Sequence, residues 1–334
     1  MSHPSTTDLF SRFQEIHEIL GKERSWGGMA VPFRCAAIAS LRTPGSSEEV
    51  GERVVDAAAQ IKKEAGLFGD LRSPIRFVLA AQLVLNGDQP GAFLEEVNRV
   101  RQMFRDRRLR RGRMYETFAI LILRTQGSLH PINEATVDRF QRIYEGMKEH
   151  HWWLTGPEDF PAAAILAMKN ESSTQIIGRV ESIYEALDQK GFRKGDPLQT
   201  ASHLLYMSPG SPHEVARRCW SLTEAFRREK ERIGSTRYDD VATLSFLHRH
   251  DPETIVSNVV TNRDQFRALR PKPSSDRAFA FAVGITFLDL VQSDAQLEGL
   301  TEVNALLDAQ QAIEAAQAAM IAASAGAAAA ASSG

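Results

Sequence analysis

A chain of 334 residues, 43% hydrophobic and 25% charged, has the composition of an ordinary folded protein. Its net charge of −2 excludes a globally basic nucleic-acid binder, and its two cysteines, Cys35 and Cys219, exclude a disulfide framework and fit a reducing compartment. No uncharged apolar run approaches the roughly 18 residues that span a bilayer, and residues 1–8 lack a basic and apolar leader, so a cytoplasmic chain without a membrane partner is expected.

The elements repeat. A first hairpin is predicted over about residues 8–46, with Phe13, Ile16, Ile19 and Leu20 on its first helix and residues 33–38 on its second. Later second helices carry Val78, Phe118, Ala201, Val241 and Phe281, separated by 40, 83, 40 and 40 residues; a unit around Ala163, Ala164 and Ile165 falls inside the double gap. First helices agree, since Val100, Ile143, Ile183 and Leu222 lie 43, 40 and 39 apart. Val137, Phe140, Ile143, Tyr144 and Met147 share one helical face, and Ile177, Val180, Ile183, Tyr184 and Leu187 repeat it 40 residues on. Pro44, Pro90, Pro131, Pro212 and Pro252 stand where units begin, because proline suits a first helical turn and blocks an interior. One junction, Asn170 to Thr174, offers N-cap hydroxyls instead.

The expected fold is all-α: a solenoid of about seven hairpins over residues 1–294. Its spacing fits the HEAT and armadillo class better than the tetratricopeptide class. The same hairpins closed into an α/α toroid are the alternative. An Ala-rich helix, about 296–322, is expected to cap the stack, with 323–334 as a disordered tail.

The stretch His150-His151-Trp152-Trp153-Leu154-Thr155-Gly156-Pro157-Glu158-Asp159-Phe160-Pro161, followed by residues 162–167, resembles a bacterial family catalogued as domain of unknown function 4003. The likeness covers the chain to about residue 290 and implies an all-helical bacterial protein, with no activity or cofactor attached. Within the repeat this stretch is the fourth intra-hairpin turn. Trp152 aligns with Phe192 of the next unit at a spacing of 40, which makes it the expected apolar plug between helices. Trp153, His150, His151, Glu158 and Asp159 depart from the repeat, and departures from a pattern mark sites. Imidazoles beside a carboxylate suit a metal, although adjacent histidines diverge on a helix. A tryptophan beside Glu158 or Asp159 would suit a sugar and a general acid. The plainer reading makes both tryptophans core or groove residues, Thr155 a cap, Pro157 a helix start, and the two acids complements to the helix dipole.

A second cluster comprises Arg99, Arg101, Arg105, Arg107, Arg108, Arg110, Arg111 and Arg113. Guanidinium forks suit carboxylates and phosphates, whereas a solvated turn near a helix C-terminus is the competing explanation. In register, intra-hairpin turns gather further cations (Lys62, Lys63, Lys190, Arg193, Lys194, Arg227, Arg228) and inter-hairpin turns gather acids (Glu48, Glu49, Asp88, Glu171, Asp251, Glu253). The dipole rule predicts part of this asymmetry by itself. His248 and His250 close a second helix without a companion ligand pair at metal spacing.

No phosphate loop, nucleophile elbow or dinucleotide fingerprint is present, and no cofactor is expected. The expectation is a non-enzymatic binding or scaffold protein. Arg105, Arg107, Arg108, Arg110, Arg111, His150, His151, Trp152 and Trp153 would engage a protein or other acidic ligand, with nucleic acid less favoured. The rival is a toroid enzyme acting on a carbohydrate or small polar substrate, with Glu158 and Asp159 as catalytic groups and His150 and His151 as metal candidates.

Overall fold

Seven hairpins follow one another in the computed structural model, which describes residues 6–22, 30–65, 69–109 and 111–294. They are α1 (Thr6–Gly21) with α2 (Ala30–Ser40), α3 (Ser47–Glu64) with α4 (Arg76–Asn86), α5 (Pro90–Asp106) with α6 (Met114–Gln126), and α7 (Glu134–His150) with α8 (Phe160–Ala167). The remaining three are α9 (Ser173–Gln189) with α10 (Asp196–Leu205), α11 (Pro212–Arg228) with α12 (Tyr238–Leu244), and α13 (Pro252–Ala268) with α14 (Ser275–Ser293). Among the described residues there is no strand. The Ala-rich segment 296–322 and the tail lie outside the described residues.

The two helices of each hairpin differ for a compositional reason. First helices are amphipathic: α5 buries Phe93, Leu94, Val97, Val100 and Phe104, whereas Glu95, Arg99 and Asp106 are exposed. Second helices are richer in buried apolar residues, and all eight residues of α8 are buried. Small residues such as Ala36, Ala37, Ala163, Ala164 and Ala282 let second helices approach one another, so α2 packs on α4, α6 on α8 and α10 on α12. First helices form the outer layer, α1 on α3 and α9 on α11.

Unit starts follow the sequence signals. Pro90, Pro212 and Pro252 open α5, α11 and α13. Ser172 caps α9 in a reciprocal box with Gln175, and Ser46–Glu49 and Ser211–Glu214 do the same for α3 and α11. Unit ends use a device not anticipated from the sequence. An arginine at matching register on a first helix reaches the C-terminal end of its own hairpin's second helix and donates to carbonyls there. Arg12 serves Thr43 and Gly45, and Arg53 serves Val84. Arg139 serves Ala167, Lys169 and Glu171, and Arg179 serves Tyr206, Ser208 and Gly210.

The stack curves until its ends meet. The α14 helix packs on both α1 and α2. The rings of Phe10 and Phe13 meet Phe266 of α13 at 5.2 and 5.0 Å. Buried Arg34 of α2 donates to the Pro271 carbonyl at 2.6 Å, across 237 positions of sequence. The all-α stack of seven hairpins is therefore ring-like, with a seam between its first and last units.

Candidate functional site

The third, fifth and sixth intra-hairpin turns share one construction. Each first helix ends in a residue of left-handed conformation: Arg108 (φ 57°), Gly191 (φ 94°) and Lys230 (φ 59°). The next N–H then returns to the carbonyl five residues back, from Leu109 to Phe104 at 3.0 Å, Phe192 to Leu187 at 3.2 Å and Glu231 to Phe226 at 2.9 Å. This step turns the following side chain inward, and Phe192 is buried against Tyr238 with ring centroids 5.0 Å apart.

The fourth turn lacks that step. His151 has φ −135°, and the N–H groups of Leu154 and Thr155 both return to its carbonyl, at 2.9 and 3.0 Å. Trp152 is therefore not the plug that its spacing suggests. It is 71% exposed and Trp153 64%, the exposed large hydrophobics among the described residues. The two rings meet edge to face at 5.8 Å. The core beneath is filled by Phe160, whose ring contacts Phe104, Phe140 and Tyr144.

Polar contacts pin the base of this turn. His151 sits on the Tyr184 ring at 4.6 Å and pairs with Glu181 at 2.9 Å. Thr155 does not cap a helix; its hydroxyl accepts from Gln199 Nε2 at 3.0 Å and donates to the Met147 carbonyl at 3.3 Å. Asp159 instead accepts from the Gly156 N–H at 3.0 Å, closing the short 3-10 turn Pro157–Asp159. Glu158 is exposed, whereas Asp159 is 7% exposed and lies 4.0 Å from Nδ1 of buried His203.

Burial pushes the Asp159 carboxyl up to about 7, with Glu158 and Asp196 adding to the rise against the Gly156 bond. Burial pushes His203 down to about 3, so this is not a charged pair. Tyr115 is raised by burial and by the nearby Glu158 and Asp159. Gln199 and His203, one turn apart on α10, carry no sequence signal of a site, because only the fold brings Gln199 to Thr155 and His203 to Asp159.

Half of the arginine cluster, Arg99, Arg101, Arg105 and Arg107, is consumed internally. Arg101 and Arg105 pair with Glu116 at 3.1 and 2.7 Å, and Glu116 also accepts from the Gly112 N–H at 2.9 Å. Arg107 bridges Glu134 and Asp138, and Arg99 holds Glu96 and the Ile132 carbonyl. Arg108, Arg111 and Arg113 are exposed, and Arg110 lies outside the described residues. Along the same edge Lys194 pairs with Asp188, Arg227 with Glu224 and Arg228 with Glu253. The cations gathered along the intra-hairpin edge are thus partly paired, which leaves short exposed basic patches.

A family model described as a protein of unknown function, DUF4003, matches residues 34–312. The chain belongs to that family. A bacterial relative, the uncharacterized protein YeaA of Bacillus subtilis (strain 168), is 27% identical over 274 residues, covering 79% of this chain and 80% of the relative. No solved structure matches the chain.

In this DUF4003 chain His150 and His151 do not converge. His150 is exposed while His151 is committed to Glu181 and Tyr184. His248 contacts the Phe246 carbonyl, and His250 lies 3.8 Å from Asp294. Among the described residues no group of three or more His, Cys, Asp or Glu side chains is placed to hold a metal ion. No described helix is long and apolar enough to cross a membrane. A cleft of about 510 Å³ opens at the ring seam, lined by Leu9, Arg12, Glu15, Leu41, Thr43 and Gln292 among others, away from the tryptophan turn.

Proposed function

We propose that this DUF4003 chain is a non-enzymatic helical-repeat protein of HEAT-like construction, working in the cytoplasm as a binding module for an acidic partner. The observation that carries the reading is the exposed Trp152–Trp153 pair, on a turn that lacks the left-handed step of the third, fifth and sixth turns. Two indoles held in water by a pinned turn are the residue type and placement of a binding anchor. Exposed Arg108, Arg111 and Arg113 on the neighbouring turn supply the attraction.

Affinity capture tests it, with the intact protein compared against a Trp152→Ser/Trp153→Ser variant. Ligands retained by the intact protein, lost by the variant and released by salt support the reading. Identical recovery from both proteins refutes it.

The ring closure and the raised Asp159 carboxyl favour one second reading, an enzyme acting on a carbohydrate or other small polar substrate. A Glu158→Gln/Asp159→Asn variant that folds and keeps any activity found on a glycoside panel removes it.

A further inference from the structure

We infer that the acidic partner is an anionic lipid surface, which the fourth turn enters from the water side with Trp152 and Trp153 leading. The inference rests on the binding reading above and names the partner for that same site.

Shape is the first argument. An elongated acidic polypeptide is best held by a groove, whereas these indoles stand on a turn at the rim of the ring. The cleft on the seam is lined by other residues. Trp152 and Trp153 meet edge to face, so they present no single flat platform for a base or sugar. Indole is amphipathic and collects at the membrane–water interface, where its ring is buried and its N–H stays wet.

Mechanical support is the second argument. The turn is fixed from beneath by the His151–Glu181 pair, the Thr155–Gln199 bond and the Asp159 bond to Gly156. The indoles therefore remain outside, since the aromatic site below is already filled by Phe160.

Charge is the third. Gly112 lies against the Phe160 ring, with space for a Cβ limited to 3.2 Å, so the third turn abuts the start of α8. That places exposed Arg108, Arg111 and Arg113 to one side of the tryptophans, with exposed Lys190 and Arg193 on the next turn to the other. Exposed Glu149, Glu158 and Asp196 are interspersed among them, so the excess of positive charge is modest and the indoles are the main anchor. Two weak signals together, an apolar anchor and a few cations, are what reversible peripheral attachment requires. The expectation of no membrane partner rests on the lack of a bilayer-spanning run, and peripheral attachment needs none.

The experiment is co-sedimentation of the full chain with vesicles of phosphatidylcholine containing phosphatidylglycerol, with tryptophan emission recorded in parallel. Vesicles of phosphatidylcholine alone and soluble polyglutamate serve as comparison arms. The expected result is binding to anionic vesicles with a blue-shifted emission. Binding falls at least roughly tenfold in Trp152→Ser/Trp153→Ser, since the interfacial indoles are the main anchor. Each of Arg108, Arg111 and Arg113 changed to Ser costs roughly fivefold at low salt. Because all five side chains are exposed, these variants should keep the wild-type melting transition, which is checked in the same preparations.

No sedimentation of the wild type, sedimentation undiminished by the tryptophan changes, or equal binding to phosphatidylcholine alone each overturns the inference. If polyglutamate binds through the tryptophans and vesicles do not, the lipid assignment falls while the binding reading stands. If neither probe binds and emission is unchanged, both fall.

Discussion

Asp159→Asn is the sharpest probe of the buried cluster under the tryptophan turn. The wild-type carboxyl has an ordinary value of 3.8 and stands at about 7 in the folded chain, chiefly because burial disfavours its charge. A raised carboxylate gives stability that is complete below the unfolded value and lost as pH climbs through the folded one. At about 1.4 kcal/mol per pH unit, the displacement amounts to about 4 kcal/mol by pH 8, of which about 2–3 kcal/mol is lost between pH 5 and 8. Asparagine has the shape of the protonated acid, can still accept from the Gly156 N–H, and carries no charge to bury. Urea denaturation of both proteins at pH 5, 6, 7 and 8 isolates this group as a difference, because other titrations cancel. The variant should gain on the wild type steadily as pH rises, reaching a few kcal/mol at pH 8. Parallel pH curves, or a variant less stable than wild type at pH 8, would refute the burial argument.

Three further outcomes follow from the packing. Glu116→Gln removes the buried carboxylate shared by Arg101, Arg105 and the Gly112 N–H; it should cost about 3 kcal/mol in chemical denaturation. Arg179→Ala strips three carbonyls at the end of the fifth hairpin of their donor. A loss of about 2 kcal/mol is expected, with Arg179→Lys recovering only part because an ammonium lacks the fork. Phe266→Ala opens the aromatic seam between first and last hairpins; it should cost about 3–5 kcal/mol and enlarge the radius of gyration in small-angle scattering, whereas an unchanged profile would argue that closure does not depend on this contact.

The repeat was readable because buried positions recur. Val100, Ile143, Ile183 and Leu222 all lie in the core, as their spacing requires. The same ruler misplaced Trp152, because alignment by spacing records which residues correspond but not whether the backbone makes a left-handed step before them. Arg108 and Lys230 take that step without being glycine, so composition did not advertise it. The arginine run misled for another reason. Charge density is visible along a chain, whereas the carboxylates that neutralise it, Glu116, Glu134 and Asp138, arrive from neighbouring helices. The capping arginines Arg12, Arg53, Arg139 and Arg179 were in plain view at repeat spacing, but only the folded carbonyl ends explain them.

Closure of the ring also constrains how such a chain could vary over generations. An open stack tolerates the gain or loss of a unit at either end, since the new terminus simply becomes the next surface. Here the contacts of Phe10 and Phe13 with Phe266, and of Arg34 with Pro271, depend on the cumulative rotation of every intervening hairpin. Duplicating or deleting one 40-residue unit would leave those partners facing the wrong neighbours. The number of hairpins is thus set by geometry.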